Sequence, residues 1–242
     1  MTLEQFFHDH PRAAVAFSGG VDSAFLLWAA RAYGCDVHAY YVSTAFQPAF
    51  EREDARRLAQ ELGVPMTVIE TDVLAVPEAA ANGPDRCYHC KRSLFSLLWQ
   101  RARADGHTLL LDGTNASDDA GDRPGMRALR ECGLTKEEVR ARSREAGLFT
   151  WDKPAYACLA TRIPTGTPIT AADLERVERA EDALFALGFS DFRVRLAGGA
   201  ARIQIPAGQM DGLLKRREEI LKQLAPHFSA VLLDLEARTP SR

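Results

Sequence analysis

Residues 18–23, with the sequence SGGVDS, constrain the fold of this chain more than any other feature. They lie between an apolar run at 13–17 and an apolar helical pattern that begins at Ala24. Two glycines let a backbone turn sharply and approach an anion, and the first N–H groups of the following helix favour negative charge. Ser18 and Ser23 add hydroxyl donors. The segment therefore predicts a strand, a phosphate-binding loop and a helix.

The loop lacks the lysine that ends a Walker A motif. It is therefore better suited to a released pyrophosphate than to a transferred γ-phosphate. SGGVDS resembles the signature of the PP-loop ATP pyrophosphatases, the superfamily of GMP synthetase, NAD synthetase and the tRNA thiolation enzymes. This resemblance implies that ATP activates a substrate by adenylylation. The alternative is an ordinary glycine-rich turn between a strand and a helix.

Length and composition favour a compact enzyme. The 242 residues, 46% hydrophobic and 26% charged, are enough for one large or two unequal domains. A net charge of −3 with interleaved acids and bases predicts no stable nucleic-acid partner. No apolar run approaches the roughly 18 residues of a membrane span, and the N-terminus lacks a signal-peptide pattern. We therefore expect no membrane partner and a cytoplasmic location.

Apolar strands and amphipathic helices alternate from about residue 13 to 111, which is typical of an α/β parallel sheet with helices on both faces. The predicted strands are 13–17, 37–42, 66–71 and 109–111, and the predicted helices start at 24, 52 and 91. Later residues predict a small α+β domain, with helices at 171–187 and 209–224 and strands at 192–196, 201–205 and 230–235. We predict a PP-loop domain over 1–165 and a smaller domain over 166–242.

Ligands of such parallel sheets bind beyond the carboxyl ends of the strands. Residues 18–23, 42–44 and 112–115 all follow predicted strands. The three segments are therefore predicted to converge on one nucleotide.

Three of the five cysteines have a pattern that suggests a metal centre. Cys87 and Cys90 are three positions apart and are predicted to lie ahead of a helix, whose N-terminus favours thiolates. Cys158, flanked by small residues, is the natural third ligand. Three cysteines leave one iron of a [4Fe–4S] cluster open. The alternatives are zinc held by these cysteines with His89, or a redox pair.

The other two cysteines are not predicted to be essential. Cys35 lies beside a predicted strand and Cys132 at a predicted helix end, which are ordinary places for core or surface thiols. In a reducing compartment the set is not expected to form disulfides.

A resemblance to the LarE family covers most of the chain. It rests on segments that occur in the family's order: SGGVDS, RCYHCKRSLF, DGTNASDD, RPGMRAL, GLTKEEVR, WDKPAYACLATRIPTGTPIT and LLDLE. LarE proteins resemble PP-loop synthetases and act as sulfur transferases in making the nickel-pincer nucleotide of lactate racemase. The resemblance implies that ATP adenylylates a carboxylate of pyridinium-3,5-biscarboxylic acid mononucleotide and that sulfur then replaces an oxygen.

Two branches of that family differ in their sulfur source. One uses a lone cysteine, at the position of Cys158, as a sacrificial donor that becomes dehydroalanine. The other has three cysteines, which Cys87, Cys90 and Cys158 match. This match implies a [4Fe–4S] cluster whose open iron carries a hydrosulfide supplied by a sulfide donor. The family also implies a homo-oligomer.

The resemblance assigns roles residue by residue. Asp22, Cys158 and Arg162 are the expected catalytic residues, and Asp22 and Asp118 are expected to bind or orient Mg²⁺. For Asp118 the alternative is a helix cap. The residues expected to bind ATP and Mg²⁺ are Ser18, Gly19, Gly20, Val21, Asp22, Ser23, Ser43, Gly113, Thr114, Asn115 and Asp118.

Three basic residues are expected to face the substrate. Arg123 or Arg127 could hold a substrate phosphate through a guanidinium fork, or form a surface salt bridge. Lys153 precedes a proline, which keeps it extended in a loop where it could face an adenylate together with Arg162.

The chain departs from the family mainly in its second domain. Gln204 stands where an acidic residue is usual, the strand before it lacks the usual histidines, and the C-terminal tail differs. The acceptor is therefore open. Besides the pincer precursor, the alternatives are sulfuration of another small molecule, amide formation with ammonia by a PP-loop ligase, and a regulator that senses ATP or a cluster.

Overall fold

A four-stranded parallel sheet organises the first part of the chain in the computed structural model, which describes residues 1–118 and 127–239. Its strands are β1 (Arg12–Ala16), β2 (Asp36–Ser43), β3 (Met66–Glu70) and β4 (Leu110–Leu111), in the order β3-β2-β1-β4. Strand β1 pairs in parallel with both β2 and β4, so the carboxyl ends of these three strands lie at one edge of the sheet.

Helices cover both faces of this sheet. Alternate residues of a strand point to opposite faces. Ala13 and Val15 belong to an apolar cluster that includes helix residues such as Leu58, whereas Ala14 packs in a second cluster with Leu98. Burial on both faces is typical of a parallel sheet. The predicted α/β fold class is therefore confirmed.

The helices described in this part are α1 (Leu3–Asp9), α2 (Val21–Ala32), α3 (Ala49–Glu61), α4 (Pro77–Ala80), α5 (Arg86–Ala104), α6 (Ala128–Glu131) and α7 (Lys136–Glu145). The three predicted helices correspond to α2, α3 and α5, and the structure adds helices that the sequence analysis did not predict. Two 3-10 helices lie at Val73–Ala75 and Leu159–Arg162.

Helix α5 differs from the prediction in one respect that concerns the cysteines. The helix was expected to start at 91, but it starts at Arg86. Cys87 and Cys90 therefore lie within its first turns and not ahead of it. Residues three apart share a helix face, so the helix places both cysteines on one side.

The C-terminal part contains a separate three-stranded mixed sheet. Strands β5 (Arg193–Ala197) and β6 (Ala200–Gln204) are antiparallel, and β7 (Val231–Leu233) pairs in parallel with β6. The helices here are α8 (Ala171–Ala186), α9 (Ala207–Lys215) and α10 (Arg217–Leu224). The predicted single helix over 209–224 is thus two helices. The predicted small α+β region is confirmed.

The chain divides into two compact units that do not coincide with sequence order. One comprises Met1–Thr71 and Cys90–Lys153, and the other comprises Asp72–His89 and Pro154–Arg242. The predicted boundary after residue 165 separates domains that could each fold independently. Compact units do not test this, so the boundary stays a prediction. Within the described ranges, no helix combines the length and the apolar character needed to cross a membrane.

Candidate active site

The SGGVDS loop between β1 and α2 is shaped by its glycines and two serines. Gly19 has φ +75°, and a Cβ there would approach Ala55 Cβ to 3.2 Å, so a larger residue would be strained. The Ser18 and Ser23 hydroxyls are 3.0 Å apart, and Ser23 Oγ donates to the Gly20 carbonyl at 3.1 Å. These bonds hold the loop in place ahead of the α2 N-terminus.

The N-terminus of α2 has no side-chain cap. Gly20 is the N-cap residue and has no side chain with which to accept the first N–H groups of the helix. Such groups, together with the helix dipole, favour an anion. The expected role of residues 18–23 in phosphate binding fits this geometry and stays a prediction.

The segment after β4 packs directly against the start of α2. A Cβ on Gly113 would lie 2.8 Å from the Ser23 backbone nitrogen, so only glycine fits there. Thr114 and Asn115 follow and are buried. Ser43 is the last residue of β2, the strand beside β1, and its carbonyl accepts the Thr71 N–H at 3.1 Å.

Asp22 is held from two directions in the first turn of α2. Its Oδ1 accepts from Asn115 Nδ2 at 3.1 Å, and its Oδ2 pairs with the Lys136 ammonium at the start of α7. Asp118 Oδ2 accepts the Asn115 N–H at 3.0 Å, which fixes the turn that carries the Asn115 side chain. Arg130 donates to the Asp118 carbonyl at 2.6 Å.

Asp112 is a candidate site residue that the sequence reasoning named only as part of a segment. Its Oδ1 accepts the Thr114 N–H at 2.8 Å, but Oδ2 is buried and has no hydrogen-bond partner among the described residues. A buried carboxylate oxygen is costly without a partner. Carboxylates are the ligands that Mg²⁺ prefers, so Asp22 and Asp112 suit a Mg²⁺ ion. The position of Asp112 directly after strand β4 was the feature from which sequence reasoning could have identified it as a site residue.

Lys153 lies in a loop, as predicted, and is engaged by two carboxylates of α3. Its ammonium is 2.9 Å from Asp54 Oδ2 and 3.3 Å from Glu51 Oε1. Arg140 donates to the Lys153 carbonyl at 3.1 Å and so supports the loop. Burial raises the pKa of Glu51, and Lys153 acts in the opposite direction.

Arg127 and Arg123 were the two arginines expected to face a substrate phosphate. Arg127 precedes α6, and its backbone N–H donates to Glu131 Oε1 at 3.4 Å. Arg123 lies outside the described residues. Substrate binding by Arg127, Arg123 or Lys153 stays a prediction.

The loop that carries Cys158 is tied to residues just before the first two cysteines. Asn82 is fully buried with φ +57°, and its Nδ2 donates to the carbonyls of Pro164 and Thr167, each at 2.9 Å. Arg86 donates to Asn82 Oδ1 at 2.7 Å and to the Ala160 carbonyl at 2.9 Å. The loop is therefore held on a buried polar support.

The sequence reasoning missed Asn82 and Arg86. The Asn-Gly pair at 82–83 was a local turn signal, since asparagine tolerates positive φ. The bonds to the loop join residues 74 to 85 positions apart. Hydrogen-bond partners so far apart in the sequence cannot be predicted from a local sequence pattern.

Arg162 closes the same loop from the other side. Its guanidinium forms a buried ion pair with Glu181 and donates to the carbonyls of Ala157 at 2.7 Å and Cys158 at 3.3 Å. The Tyr156 hydroxyl also donates to Glu181. Arg162 thus positions the backbone around Cys158, and the expected role of this arginine in the chemistry stays a prediction.

The strand residue that departs from the family pattern takes part in this support. Gln204 Oε1 accepts from Arg195 Nε at 2.6 Å, and Gln204 Nε2 donates to Asp234 Oδ2 at 2.8 Å. Arg195 in turn donates to the Thr161 carbonyl at 2.8 Å. An amide serves here because it accepts from one neighbour and donates to the other.

The Cys158 thiol is influenced by burial and by charged neighbours, which include Cys87. Burial raises the pKa of the Cys158 thiol, and the charge of Cys87 acts in the same direction, while Arg86 and Arg162 oppose them. Cys87 Sγ also accepts from Arg86 Nη2 at 3.4 Å. Arg86 thus acts on both thiols.

A complete metal centre is not evident. Over residues 1–118 and 127–239, no group of three or more His, Cys, Asp or Glu side chains is arranged to hold a metal ion. Thiols are the ligands that iron–sulfur clusters take. Cys87, Cys90 and Cys158 therefore suit a cluster by chemistry, while the cluster itself stays a prediction. Cys35 is buried, its thiol donates to the His10 carbonyl at 3.4 Å, and burial raises its pKa to about 11.

The parallel sheet, the glycine-containing loop and the uncapped start of α2 define a nucleotide-binding protein of the PP-loop class. The model of the family "Queuosine biosynthesis protein QueC" matches residues 12–82, which contain this loop. The class uses ATP, so the protein is an ATP-using enzyme.

Relatives match nearly the whole chain. An uncharacterized protein of Synechocystis sp. is 40% identical and covers 97% of this chain and 92% of its own length. Pyridinium-3,5-bisthiocarboxylic acid mononucleotide synthase of Lactiplantibacillus plantarum is 34% identical, with 97% and 89% covered. An uncharacterized protein of Methanocaldococcus jannaschii is 27% identical, with 92% and 88% covered. The chain belongs to the LarE family of PP-loop proteins.

Proposed function

We propose that this protein is an ATP-dependent sulfur transferase that converts a carboxylate of pyridinium-3,5-biscarboxylic acid mononucleotide into a thiocarboxylate. The observation that carries the proposal is the 34% identity, over 97% of the chain, to a synthase named for the bisthiocarboxylic product. The alignment is long enough to include both the nucleotide loop and the segments with the cysteines.

The residues of the first unit support the activation step. A substrate carboxylate oxygen attacks the α-phosphorus of ATP, the bond to the β-phosphate breaks, and pyrophosphate leaves. The N–H groups of the loop and of the first turn of α2 would bind the phosphates, while the bonded Ser18 and Ser23 hydroxyls hold the loop in shape. Asp22 and Asp112 would hold Mg²⁺, whose charge stabilises the departing pyrophosphate.

Activation is needed because oxide is not a leaving group, whereas AMP is. A hydrosulfide from the sulfide donor attacks the acyl carbon, AMP departs with the former carboxylate oxygen, and the thiol proton passes to water. The product is a thiocarboxylate. Oriented donors that stabilise the developing negative charge account for much of the rate in such sites.

Three cysteines support the delivery of sulfur. Cys87, Cys90 and Cys158 would hold a [4Fe–4S] cluster, which supplies an open iron for hydrosulfide when it is bound. Arg86 and Arg162 hold the carbonyls on either side of Cys158, so the thiol has a fixed backbone. The sacrificial use of Cys158 is the alternative source of sulfur.

The acceptor is tested by supplying ATP, Mg²⁺ and sulfide without oxygen, with and without pyridinium-3,5-biscarboxylic acid mononucleotide. We expect AMP and pyrophosphate to form only with the acceptor, and the product mass to show sulfur in place of oxygen. Asp22→Asn should abolish both products. In a parallel reaction, ammonia replaces sulfide. Formation of an amide there, with no reaction with sulfide, would contradict the proposal and favour a ligase.

The cluster is tested separately by anaerobic reconstitution with iron and sulfide, followed by analysis of bound iron, zinc and acid-labile sulfide. About four irons and four sulfides per chain are expected for a [4Fe–4S] centre. Cys87→Ser should lose them, and Cys35→Ser should keep them because Cys35 is a buried thiol of the sheet unit. Bound zinc in place of iron would contradict the cluster.

The proposal also includes a sulfide donor, a homo-oligomer, a cytoplasmic location and a small-molecule acceptor. A sulfide donor is required by the chemistry, and a homo-oligomer and a cytoplasmic location are family-level expectations. A small-molecule acceptor is consistent with the product named for the relative.

A further inference from the structure

The first turns of α3 lie directly against the phosphate-binding loop. A Cβ on Gly19 would lie 3.2 Å from the Ala55 Cβ and 3.4 Å from the Glu51 carbonyl oxygen, so the loop backbone touches the helix. Gly19 has φ +75°, which turns the chain at this point of the loop. Packed interiors have few voids and transmit displacements. The position of α3 therefore limits how far the loop can move on this side.

The start of α3 is weakly held by its own sequence. Its N-cap residue, Pro48, has no side-chain group that can accept a helix N–H. Residues 49–52 are exposed or half-buried, whereas the buried apolar residues Ala55, Leu58 and Ala59 come later in the helix. Contacts with other segments are therefore needed to fix the first turn.

Lys153 supplies such a contact through its ammonium. Nζ lies 2.9 Å from Asp54 Oδ2 and 3.3 Å from Glu51 Oε1, and 5.5 Å from the centre of the Phe50 ring. The Lys153 and Glu51 side chains are 15% and 14% exposed, so solvent screens this pair less than it screens a surface pair. One ammonium thus joins three residues of the first two turns of α3.

The backbone of Lys153 is anchored independently of α3. Arg140, on α7, donates to the carbonyls of Trp151 at 2.7 Å and Lys153 at 3.1 Å. The lysine therefore reaches α3 from a segment that α7 holds. Because its ammonium lies beside two carboxylates, its charge is balanced within the protein.

We propose that Lys153 is a positioning residue, which holds the first turns of α3 against the phosphate-binding loop and so supports nucleotide binding without touching the nucleotide. The inference rests on the proposed use of ATP. It assigns to α3 the ammonium that the sequence suggested for an adenylate. Without the lysine, the carboxylates of Glu51 and Asp54 repel each other and the start of the helix loses its tie. The loop N–H groups bind phosphates only while they point to one place.

Titration calorimetry with Mg²⁺ and α,β-methylene ATP, which has a non-cleavable α–β bridge, separates this role from a direct contact. Lys153→Met should weaken binding by about fivefold or more, because misplaced groups lose much of their effect. Lys153→Arg should recover most of the affinity. Glu51→Gln/Asp54→Asn keeps the lysine but removes its carboxylate partners on α3, so it should weaken binding as well. Combining these two changes with Lys153→Met should cost no more than Lys153→Met alone.

Arg56→Met is the matched control, because it removes one positive charge from an exposed position of the same helix. It should leave binding as in the wild type. If Glu51→Gln/Asp54→Asn binds the analogue as tightly as the wild type, or more tightly, the inference is overturned, since the freed lysine would then bind the phosphates directly. Equal binding by Lys153→Met and the wild type would overturn it too.

Hydrogen exchange, read by mass spectrometry without nucleotide, tests the positioning even if the protein does not use ATP. The amides of residues 18–23 should exchange faster in Lys153→Met, and those of β5 and β6 in the other unit should not change. Equal acceleration in both segments would mean general destabilisation and would overturn the inference. A wild type that does not bind the analogue, together with local acceleration in Lys153→Met, would overturn the proposed use of ATP and leave the positioning intact.

Discussion

Arg162 and Glu181 form a bidentate ion pair, with 2.8 Å between Nε and Oε1 and 3.0 Å between Nη2 and Oε2, in which both side chains are buried. The pair joins α8 to the loop of Cys158, since Arg162 also donates to the Ala157 carbonyl. Burying two charges is costly, and the pair is tolerable because nearly every donor and acceptor is used. Its contribution is to fix the loop.

Removing one partner of this pair should destabilise the protein strongly. Glu181→Ala leaves the buried guanidinium unpaired and also removes the acceptor for the Val194 N–H. We expect a loss of about 3–5 kcal/mol in the free energy of unfolding, measured by urea denaturation. Glu219→Ala breaks the exposed pair with Arg216 and should cost about 0–1 kcal/mol. Equal midpoints for the two variants would contradict the structural role of Glu181.

Asn82 supports the same loop through its backbone conformation and its amide. Asn82→Ala loses both, because alanine is strained at φ +57°, while Asn82→Gly loses only the amide bonds. We expect the alanine variant to be less stable than the glycine variant by about 1–2 kcal/mol, and both to be less stable than the wild type. Thermal unfolding measures the order. An alanine variant as stable as the glycine variant would mean that the backbone strain is relieved.

Gly113 should be intolerant of even a methyl group. Gly113→Ala places a Cβ 2.8 Å from the Ser23 backbone nitrogen, so α2 or the segment after β4 must shift. We expect nucleotide binding to weaken by at least about tenfold, because the loop N–H groups move with α2. Gly208→Ala is the control, since it meets no atom within 4 Å and lies in α9. Unchanged nucleotide binding in Gly113→Ala would exclude this close contact.

Two histidines of the sheet unit should make stability depend on pH. His38 and His107 have ring centroids 6.0 Å apart, and burial is the main cause that lowers the pKa of each. The neutral rings are favoured in the folded state, so their contribution is complete above the unfolded pKa of about 6.5 and is lost as pH falls below it.

Urea midpoints at pH 7.5 and pH 5.5 measure this effect. His107→Phe keeps an aromatic ring and should flatten the decline, as it removes one group that binds a proton on unfolding. His8→Phe, at an exposed position on α1, is the control and should leave the decline as in the wild type. A steeper decline in His107→Phe would mean that the folded state favours the protonated ring, contrary to this expectation.

The sheet and its order of helices were accessible to sequence reasoning because apolar periodicity is local. The four predicted strands and the helices α2 and α3 begin and end within a few residues of the predicted positions, whereas α1, α6 and α7 were not predicted. The start of α5 was missed, since residues 83–91 contain Gly83, Pro84 and few aliphatic side chains, and so lack an apolar helical pattern. The break between α9 and α10 at Arg216 was missed because charged residues continue the helical pattern across it.

Only part of the candidate site could be predicted from the sequence, and the reason is physical. Loop glycines and paired cysteines are motifs, so they can be recognised from neighbours in sequence. Lys136, Arg86 and Glu181 gain their roles from partners that only the fold brings close, at separations of 114, 74 and 19 residues. In the sequence, each resembles an ordinary charged surface residue.

The most direct test of the central claim counts products per chain. Wild-type protein and Cys87→Ser are supplied without oxygen with ATP, Mg²⁺, sulfide and pyridinium-3,5-biscarboxylic acid mononucleotide, and AMP, thiocarboxylate and the intact mass of the chain are measured. We predict several thiocarboxylates per wild-type chain, one AMP for each, no loss of sulfur from the chain, and no turnover in Cys87→Ser. At most one thiocarboxylate per chain, with conversion of Cys158 to dehydroalanine, would contradict catalytic sulfur transfer.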